Sequence, residues 1–174
     1  SHKKTNILDL NLGSIIGTSS IRRRSQVLSL RRDLGIKLIR GNVDTRISKL
    51  DQGHYDALIL GFGGIKRLGL ANRVSQIFST DEILPPACQA TVGIQTLDED
   101  SDLIKLITKT NDKYSSIVGL AERKVLEVLE ANCNSPIGVL ACIENDNSFK
   151  VRAELFSHDG KEKYEAEKCG KLED

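Results

Sequence analysis

Several residue types and segment types are scarce in this 174-residue chain. It has no tryptophan, no methionine, three prolines and only 4% aromatic residues. No apolar run approaches the roughly 18 to 20 residues that a membrane helix needs, and the first six residues contain no apolar stretch of the secretory kind. The sequence therefore predicts neither a membrane partner nor export.

Cysteine and histidine are also few, and their spacing argues against two further classes of protein. The four cysteines form no CxxC pair, and the three histidines are scattered. A structural metal site or a disulfide framework would show closer, regular spacing. We therefore expect reduced thiols in a cytoplasmic protein and no metal site. The balance of 39% hydrophobic and 28% charged residues is typical of a globular chain.

Charge is distributed unevenly, although the net charge is only +1. Residues 1–80 carry 14 basic and 5 acidic residues, whereas residues 81–174 carry 11 basic and 19 acidic residues. Nine of the 11 arginines lie between Arg22 and Arg73. Arginine favours bidentate recognition of carboxylate or phosphate, so the first half is expected to bind an anion. The alternative is that these charges line solvated helix faces.

Short apolar runs alternate with helical patterns in the first 85 residues. Strands are predicted at residues 14–17, 36–39 and 56–60, with helices at about 20–34 and 43–50 between them. Ser19 or Ser20 is expected to cap the first helix. This order predicts a parallel sheet with right-handed crossovers.

Pro85 and Pro86 interrupt this alternation, so a boundary or crossing segment is expected near them. Beyond it, the patterns predict a possible strand at 92–94 and a short helix at 103–107. They also predict a long helix at about 114–131, whose buried face would include Leu120 and Val128. Strands at 137–143, 149–156 and 162–168, with turns at 146–147 and 159–160, predict an antiparallel meander.

Two junctions between a strand and the following helix bear arginine and polar groups. The first holds Thr18, Ser19, Ser20, Arg22 and Arg23, and the second holds Arg40, Asn42 and Arg46. In parallel α/β sheets, ligands bind at the carboxyl ends of strands, where helix N-termini present N–H groups. The two junctions therefore predict a ligand with several carboxylates or phosphates. The alternative for the two serines is helix capping, which we expect of one of them.

Cys133 follows the long predicted helix and precedes Pro136. A thiol in such a loop is exposed enough to react, but a lone cysteine is more often an inert small residue. Spacing alone therefore leaves both interpretations open.

Five segments together resemble the porphobilinogen deaminase family, also called the hydroxymethylbilane synthase family. They are residues 17–23, 39–51, 55–60 and 64–70, and the run from Ala121 to Arg123 that leads to Cys133, Pro136 and Ile137. The resemblance implies an α/β fold with a doubly wound, mostly parallel sheet lobe similar to that of type II periplasmic binding proteins. It also implies a small α+β C-terminal domain with a three-stranded antiparallel sheet.

The resemblance further implies a transferase of tetrapyrrole and haem biosynthesis. Such enzymes condense four porphobilinogen molecules head to tail, with loss of ammonia, to give hydroxymethylbilane. Their dipyrromethane cofactor is bound by a thioether to the cysteine in the position of Cys133. The residues that match positions around cofactor and substrate are Thr18, Ser19, Ser20, Arg22, Arg23, Arg40, Asn42, Arg46, Arg67 and Gln89. Because each pyrrole unit carries two carboxylates, an arginine-rich half is the expected counterpart.

The resemblance divides the chain into three parts. Residues 1–85 would form the substrate- and cofactor-binding lobe, and residues 86–112 a crossing segment that belongs to a preceding domain in the family. Residues 113–174 would form a shortened domain that carries the cofactor cysteine. The strand at 92–94 would then lack its home sheet, so we expect it to be exposed, repaired by self-association or poorly ordered. Full-length members are expected to be monomers.

Two departures from the family pattern affect the expected activity. The family's catalytic aspartate has no match among these residues, so the chain alone is expected not to turn over. The alternative function is a catalytically inactive homologue that only binds dipyrromethane or polycarboxylate pyrroles. Glycines usual in the family are replaced by Ala131 and Asn132 before Cys133, and by Cys88 and Ala90 in the crossing segment. Each replacement adds a Cβ that restricts the backbone.

A nucleic-acid-binding module is the competing interpretation of the basic half. The low aromatic content and the placement of arginines at strand ends weigh against it. A dinucleotide-binding domain is excluded because no GxGxxG follows a predicted strand. We therefore expect a small-molecule substrate and no nucleic-acid partner.

Overall fold

The computed structural model describes residues 5–144 and 148–172. The chain divides into two compact units. The first comprises Ser1–Ile83, Asn134–Pro136 and Leu155–Tyr164, and the second comprises Leu84–Cys133, Ile137–Glu154 and Glu165–Asp174. The chain therefore returns twice to the first unit after leaving it at residue 83.

The first unit contains a parallel sheet of three short strands. These are β1 (Ile15–Gly17), β2 (Gly35–Lys37) and β3 (Ala57–Leu58), in the spatial order β2-β1-β3. Helix α1 (Ile21–Leu30) connects β1 to β2, α2 (Val43–Asp51) connects β2 to β3, and α3 (Phe62–Arg67) follows β3. Because β2 and β3 flank β1 on opposite sides, the chain reverses its direction across the sheet at β1.

Apolar side chains from these elements form the core of the first unit. One cluster contains Ile7, Ile16, Val27, Leu34 and Ile59, and a second contains Ile39, Leu50 and Tyr55. Gly17 ends β1 where a Cβ would lie 2.5 Å from Leu58 Cδ2 and 2.9 Å from Tyr55 Cδ1. A Cβ at this position would therefore force the side chains of Leu58 and Tyr55 to shift.

Arg31, just after α1, connects that helix to the segment before β1. Its guanidinium donates to the carbonyls of Ile7, Leu8 and Leu10 and pairs with Asp33. This arginine therefore has a structural role, and its position at the end of α1 differs from that of the arginines at the beginning of the helix.

The second unit contains two helices and most of an antiparallel sheet. The helices are α4 (Ser101–Thr108) and α5 (Lys113–Val128), and the strands are β4 (Ile137–Ile143), β5 (Ser148–Phe156) and β6 (Lys163–Lys171), in the order β4-β5-β6. The side chains of Asp100 and Asp112 cap the two helices by accepting from the N–H groups of Leu103 and Ser115. These caps explain where both helices begin.

The parallel and antiparallel sheets confirm the mixed α/β class expected from the sequence. The candidate strand at 92–94 was wrong, because the structure has no strand there. The expectation that this segment is exposed is confirmed at Val92 and Ile94. The prediction of which residues form the buried face of the long helix was also wrong in part. Leu120 and Val128 are exposed, because α5 buries Gly119 and Glu122 instead. The predicted turn at 146–147 lies outside the described residues.

Candidate functional site

The turn from β1 into α1 is built by hydroxyl groups. Ser20 is the N-cap of α1, and its Oγ accepts a 3.3 Å hydrogen bond from the N–H of Arg23. The N–H of Ser20 in turn donates to Oγ1 of buried Thr18 at 3.2 Å. Ser20 is thus the capping serine, whereas Ser19 is exposed. The capped turn sets the direction in which the first residues of α1 point.

Two arginines occupy the first turn of α1. Arg22 is only 7% exposed, and burial, with a smaller effect of the neighbouring Arg23 charge, lowers the pKa of Arg22 to about 10. Burial and then the charge of Arg46 lower the pKa of Arg23. Both groups stay cationic at neutral pH, but their free energies are raised by desolvation and mutual repulsion. An anion placed between them would relieve both effects.

Arg46 reaches the same region from α2. Its Nε donates to the carbonyl of Gly41 at 2.7 Å, and its Nη1 donates to Ser19 Oγ at 3.3 Å. Gly41 has φ of +116°, a conformation that favours glycine. Arg46 therefore joins the β2–α2 junction to the β1–α1 junction, as the sequence predicted for neighbouring strand ends.

Arg23 joins the first turn of α1 to the end of β3. Its Nη1 donates to the carbonyl of Ile59, one residue beyond β3, at 3.2 Å. The point where strand order reverses is where doubly wound sheets bind ligands. Within the described part of the chain, Arg23 and Arg46 donate only to neutral oxygens, so their positive charge is available to a ligand.

The remaining predicted residues of the first unit are more exposed. Arg40 and Arg67 are exposed, and Lys49 Nζ donates to the carbonyl of Arg40 at 3.1 Å. Asn42 stands at the N-cap position of α2, and its side chain makes no capping bond to the described backbone. No hydrogen bond among the described residues joins these three side chains to the Arg22, Arg23 and Arg46 group.

Gln89 and Cys133 belong to the second unit. Gln89 is exposed, and it lies between two residues with left-handed backbone, Cys88 at φ of +58° and Ala90 at φ of +71°. Cys133 is an exposed free cysteine in the turn between α5 and β4. Exposure makes the thiol accessible to an electrophile.

Glu122 is a buried residue to which the sequence assigned no role. It is 4% exposed, and its two carboxylate oxygens accept from the N–H of Cys88 at 2.5 Å and of Ala141 at 2.8 Å. The carboxylate thereby holds the crossing segment and β4 to α5. The signal in the sequence was an acidic residue within the apolar part of an amphipathic helix, which by itself does not identify the partners.

The described residues contain no group of three or more His, Cys, Asp or Glu side chains arranged to hold a metal ion. Nor do they contain a helix that is both long and apolar enough to cross a membrane.

The parallel sheet and the three converging arginines define an α/β protein with a cationic site at its strand ends. Comparison with known families identifies the family within this class. The family model described as "Porphobilinogen deaminase, dipyromethane cofactor binding domain" matches residues 1–105. A second, described as "Porphobilinogen deaminase, C-terminal domain", matches residues 117–174. The chain therefore belongs to the porphobilinogen deaminase family.

Curated relatives agree with this assignment. Porphobilinogen deaminase of Francisella tularensis subsp. novicida (strain U112) is 44% identical over 161 residues, which are 92% of this chain and 53% of the relative. The protein of the same name from Francisella tularensis subsp. tularensis (strain WY96-3418) is 43% identical over the same shares of both chains. This chain thus spans about half the length of the curated relatives it matches.

Proposed function

We propose that this chain supplies the cofactor-carrying and carboxylate-binding part of a porphobilinogen deaminase. The proposed reaction is a transfer that condenses four porphobilinogen molecules head to tail, with loss of ammonia, to give hydroxymethylbilane. Membership of the family supports this reaction. We further infer a cytoplasmic location, a monomeric full-length form and a lobe at 1–85 similar to those of type II periplasmic binding proteins.

The observation that carries the proposal is the cluster of Arg22, Arg23 and Arg46. Porphobilinogen has an acetate and a propionate side chain, so a growing pyrrole chain accumulates negative charge. Guanidinium groups bind carboxylates with charge-assisted, bidentate hydrogen bonds. Because burial and the neighbouring positive charge already disfavour the cationic forms of Arg22 and Arg23, bound carboxylates would be stabilised more strongly there than by solvated arginines.

The donor set also fits the dipyrromethane named in the family description. This group, when bound, supplies the pyrrole to which the first substrate is joined. Cys133 would carry it through a thioether, because its thiol is exposed. The groups that would hold its carboxylates and those of the substrate are Thr18, Ser19, Ser20, Arg22, Arg23, Arg40, Asn42, Arg46, Arg67 and Gln89. Among them, Ser20 shapes the turn, Ser19 orients Arg46, and the arginines provide the charge.

Intact mass under denaturing conditions tests attachment. We expect an adduct the size of dipyrromethane on the parent chain, and its loss in Cys133→Ala. Cys169→Ala is the matched control, because Cys169 is also an exposed free cysteine. An adduct that survives in Cys133→Ala, or disappears in Cys169→Ala, would contradict attachment at Cys133.

Binding without turnover is the second candidate function. It is supported by the cluster of Arg22, Arg23 and Arg46, which can bind carboxylates whether or not the chain turns over. Ammonia release from porphobilinogen distinguishes the two candidates. Saturable porphobilinogen binding without ammonia release supports the binding function, whereas sustained release by the purified chain would establish turnover.

A further inference from the structure

The turn between β5 and β6 packs directly against α1 within the first unit. Gly160, in this turn, has φ of +69°. A Cβ at this position would lie 2.5 Å from the carbonyl oxygen of Ser25, and 2.9 Å from both Leu28 Cβ and the N atom of Ser29. Backbone atoms cannot move aside as a flexible side chain can. The turn therefore fits against the middle of α1 only because residue 160 is glycine.

A hydrogen bond adds to this contact. Ser25 is fully buried, and its Oγ donates to the carbonyl of His158 at 3.3 Å. Ser25 lies three residues after Arg22 and two after Arg23 on the same helix. The turn thus contacts α1 about one helical turn from the arginines that the proposed function uses.

The turn is held in shape by its own polar groups. Asp159 Oδ1 accepts from Ser157 Oγ at 2.7 Å and from the N–H of Lys161 at 3.2 Å. The Ser157 bond, the Lys161 backbone bond and then the Lys161 side chain lower the pKa of Asp159 to about 2. The carboxylate therefore remains ionised at neutral pH, and the turn presents a preformed surface to α1.

The strand leading into this turn contacts a second part of the first unit. The N–H of Phe156, the last residue of β5, donates to the carbonyl of Pro136 at 3.1 Å. Pro136 stands three residues after Cys133 in the sequence. One short stretch of chain, 156–160, therefore contacts both the arginine-bearing helix and the segment that follows the proposed cofactor cysteine.

We propose that this turn, Ser157–Lys161, positions α1 so that Arg22 and Arg23 are directed at pyrrole carboxylates. Gly160 and Ser25 are its positioning residues, and neither needs to touch the ligand. This inference rests on the proposed function, because it concerns how the same arginines are held. It predicts that disturbing the turn loosens α1 and weakens binding, although the guanidinium groups themselves are unchanged.

Gly160→Ala tests the inference, with Gly53→Ala as its matched control. Gly53 also has a left-handed φ, +77°, and lies in the first unit, but a Cβ there would meet nothing within 4 Å. Both variants thus add the same backbone strain, and only Gly160→Ala adds a clash with α1. The two readouts are hydrogen exchange of amides 25–30 and calorimetric titration with porphobilinogen, at a temperature where each variant is folded.

We expect Gly160→Ala to speed exchange in α1 by about tenfold or more relative to α2. We also expect it to raise the porphobilinogen Kd by about fivefold. Gly53→Ala should change neither quantity beyond about twofold. Parent-like exchange and affinity in Gly160→Ala, or equal effects in the control, would overturn the proposal.

Ser25→Ala covers the case in which Gly160→Ala does not fold. It removes only the hydroxyl that bonds His158, so faster exchange confined to α1 and a weaker porphobilinogen affinity are expected. A lower unfolding temperature with unchanged α1 exchange would show that the contact is merely structural and would refute positioning. If the parent chain does not bind porphobilinogen, the proposed function fails, while exchange in α1 still decides whether the turn holds the helix.

Discussion

Helices α1 and α5 both bury charged side chains, but they do so in opposite ways. On α1, Arg22 is buried beside Arg23, and the cations repel one another. On α5, Glu122 is buried and accepts two backbone hydrogen bonds. Two backbone donors compensate the charge of Glu122, whereas burial and neighbouring cations disfavour the charged forms of Arg22 and Arg23. The comparison separates a charge with a structural role from the charges that we propose bind carboxylates.

The same two helices differ in their apolar residues. Val27 of α1 is fully buried in the core of the first unit, whereas Leu120 and Val128 of α5 are exposed. The crossing segment and α4 expose further apolar side chains, with Val92 at 85% and Leu97 at 74%. The second unit nevertheless has buried apolar residues, and the two hydrogen bonds that the Glu122 carboxylate accepts add to their packing; these residues are Leu84, Ile137, Val139 and Ala141.

Removal of the Glu122 carboxylate should have the largest effect on stability. Glu122→Ala leaves the N–H groups of Cys88 and Ala141 without their acceptor, so we expect a loss of about 3 kcal/mol in the free energy of unfolding. Glu127→Ala on the same helix is the control, because its exposed pair with Lys124 contributes about 0.5 kcal/mol or less. Urea unfolding measures both. Equal losses in the free energy of unfolding of the two variants would contradict a larger stabilising role for buried Glu122 than for exposed Glu127.

Arg22→Ala should weaken porphobilinogen binding. We expect the porphobilinogen Kd to rise about tenfold, because one carboxylate partner is lost. Arg31→Ala, at the other end of α1, should instead lower the unfolding temperature, since three carbonyls lose their donor, and keep the Kd within about twofold. Calorimetric titration and thermal unfolding of both variants measure this contrast. A porphobilinogen Kd in Arg22→Ala equal to that of the parent chain would show that Arg22 does not contribute to binding.

Ala90→Gly should stabilise the crossing segment. Ala90 has φ of +71°, so removing its Cβ relieves strain of about 1 kcal/mol. Ala131→Gly is the control, because residue 131 is not among the described residues with left-handed backbone, and glycine there should cost about 0.5 kcal/mol through unfolded-chain entropy. Opposite signs in urea unfolding are the expected result. A destabilising Ala90→Gly would mean that the strain is compensated by contacts of the Cβ.

Substitution of the exposed apolar residues should have the smallest effect. Val92→Ser with Leu97→Ser should change the free energy of unfolding by less than about 0.5 kcal/mol and reduce the fluorescence of a bound apolar dye. Leu84→Ser is the contrasting variant, because Leu84 is fully buried and lies against Gly138 of β4. Unfolding of the Val92 and Leu97 variant at markedly lower urea would show that these side chains are covered.

The sequence predicted most of the helices and strands, because regular apolar spacing within a short segment is enough to predict them. Residues 137–143 are a strand with those bounds, and Ser20 caps α1 as expected of one of the two serines. Helix α3 was not predicted, since its glycines at 63 and 64 are poor helix formers. The strand at 92–94 was wrong because a strand needs a neighbouring strand to pair with, and none pairs with this segment among the described residues.

The replaced glycines also show that the sequence does not determine the backbone conformation at single positions. The sequence marked four positions, 88, 90, 131 and 132, where the family usually has glycine. Of these four positions, only 88 and 90 have a left-handed backbone. Glu130 also has a left-handed backbone, although the family pattern did not indicate a glycine there. A replaced glycine therefore indicates a position where backbone strain is possible. Only the structure shows whether the residue there adopts a left-handed conformation.

The sequence by itself determined the family, the class of fold, the basic half and the arginines from which we propose that an anion site is built. These follow from residue type and short spacing, which act within a few positions of the chain. Only the tertiary structure decided that Arg23 meets the carbonyl of Ile59, that Glu122 reaches back to Cys88, and that Gly160 lies against Ser25. Each of these contacts joins residues more than 30 positions apart, and such partners are selected by the packing of whole elements rather than by local preference.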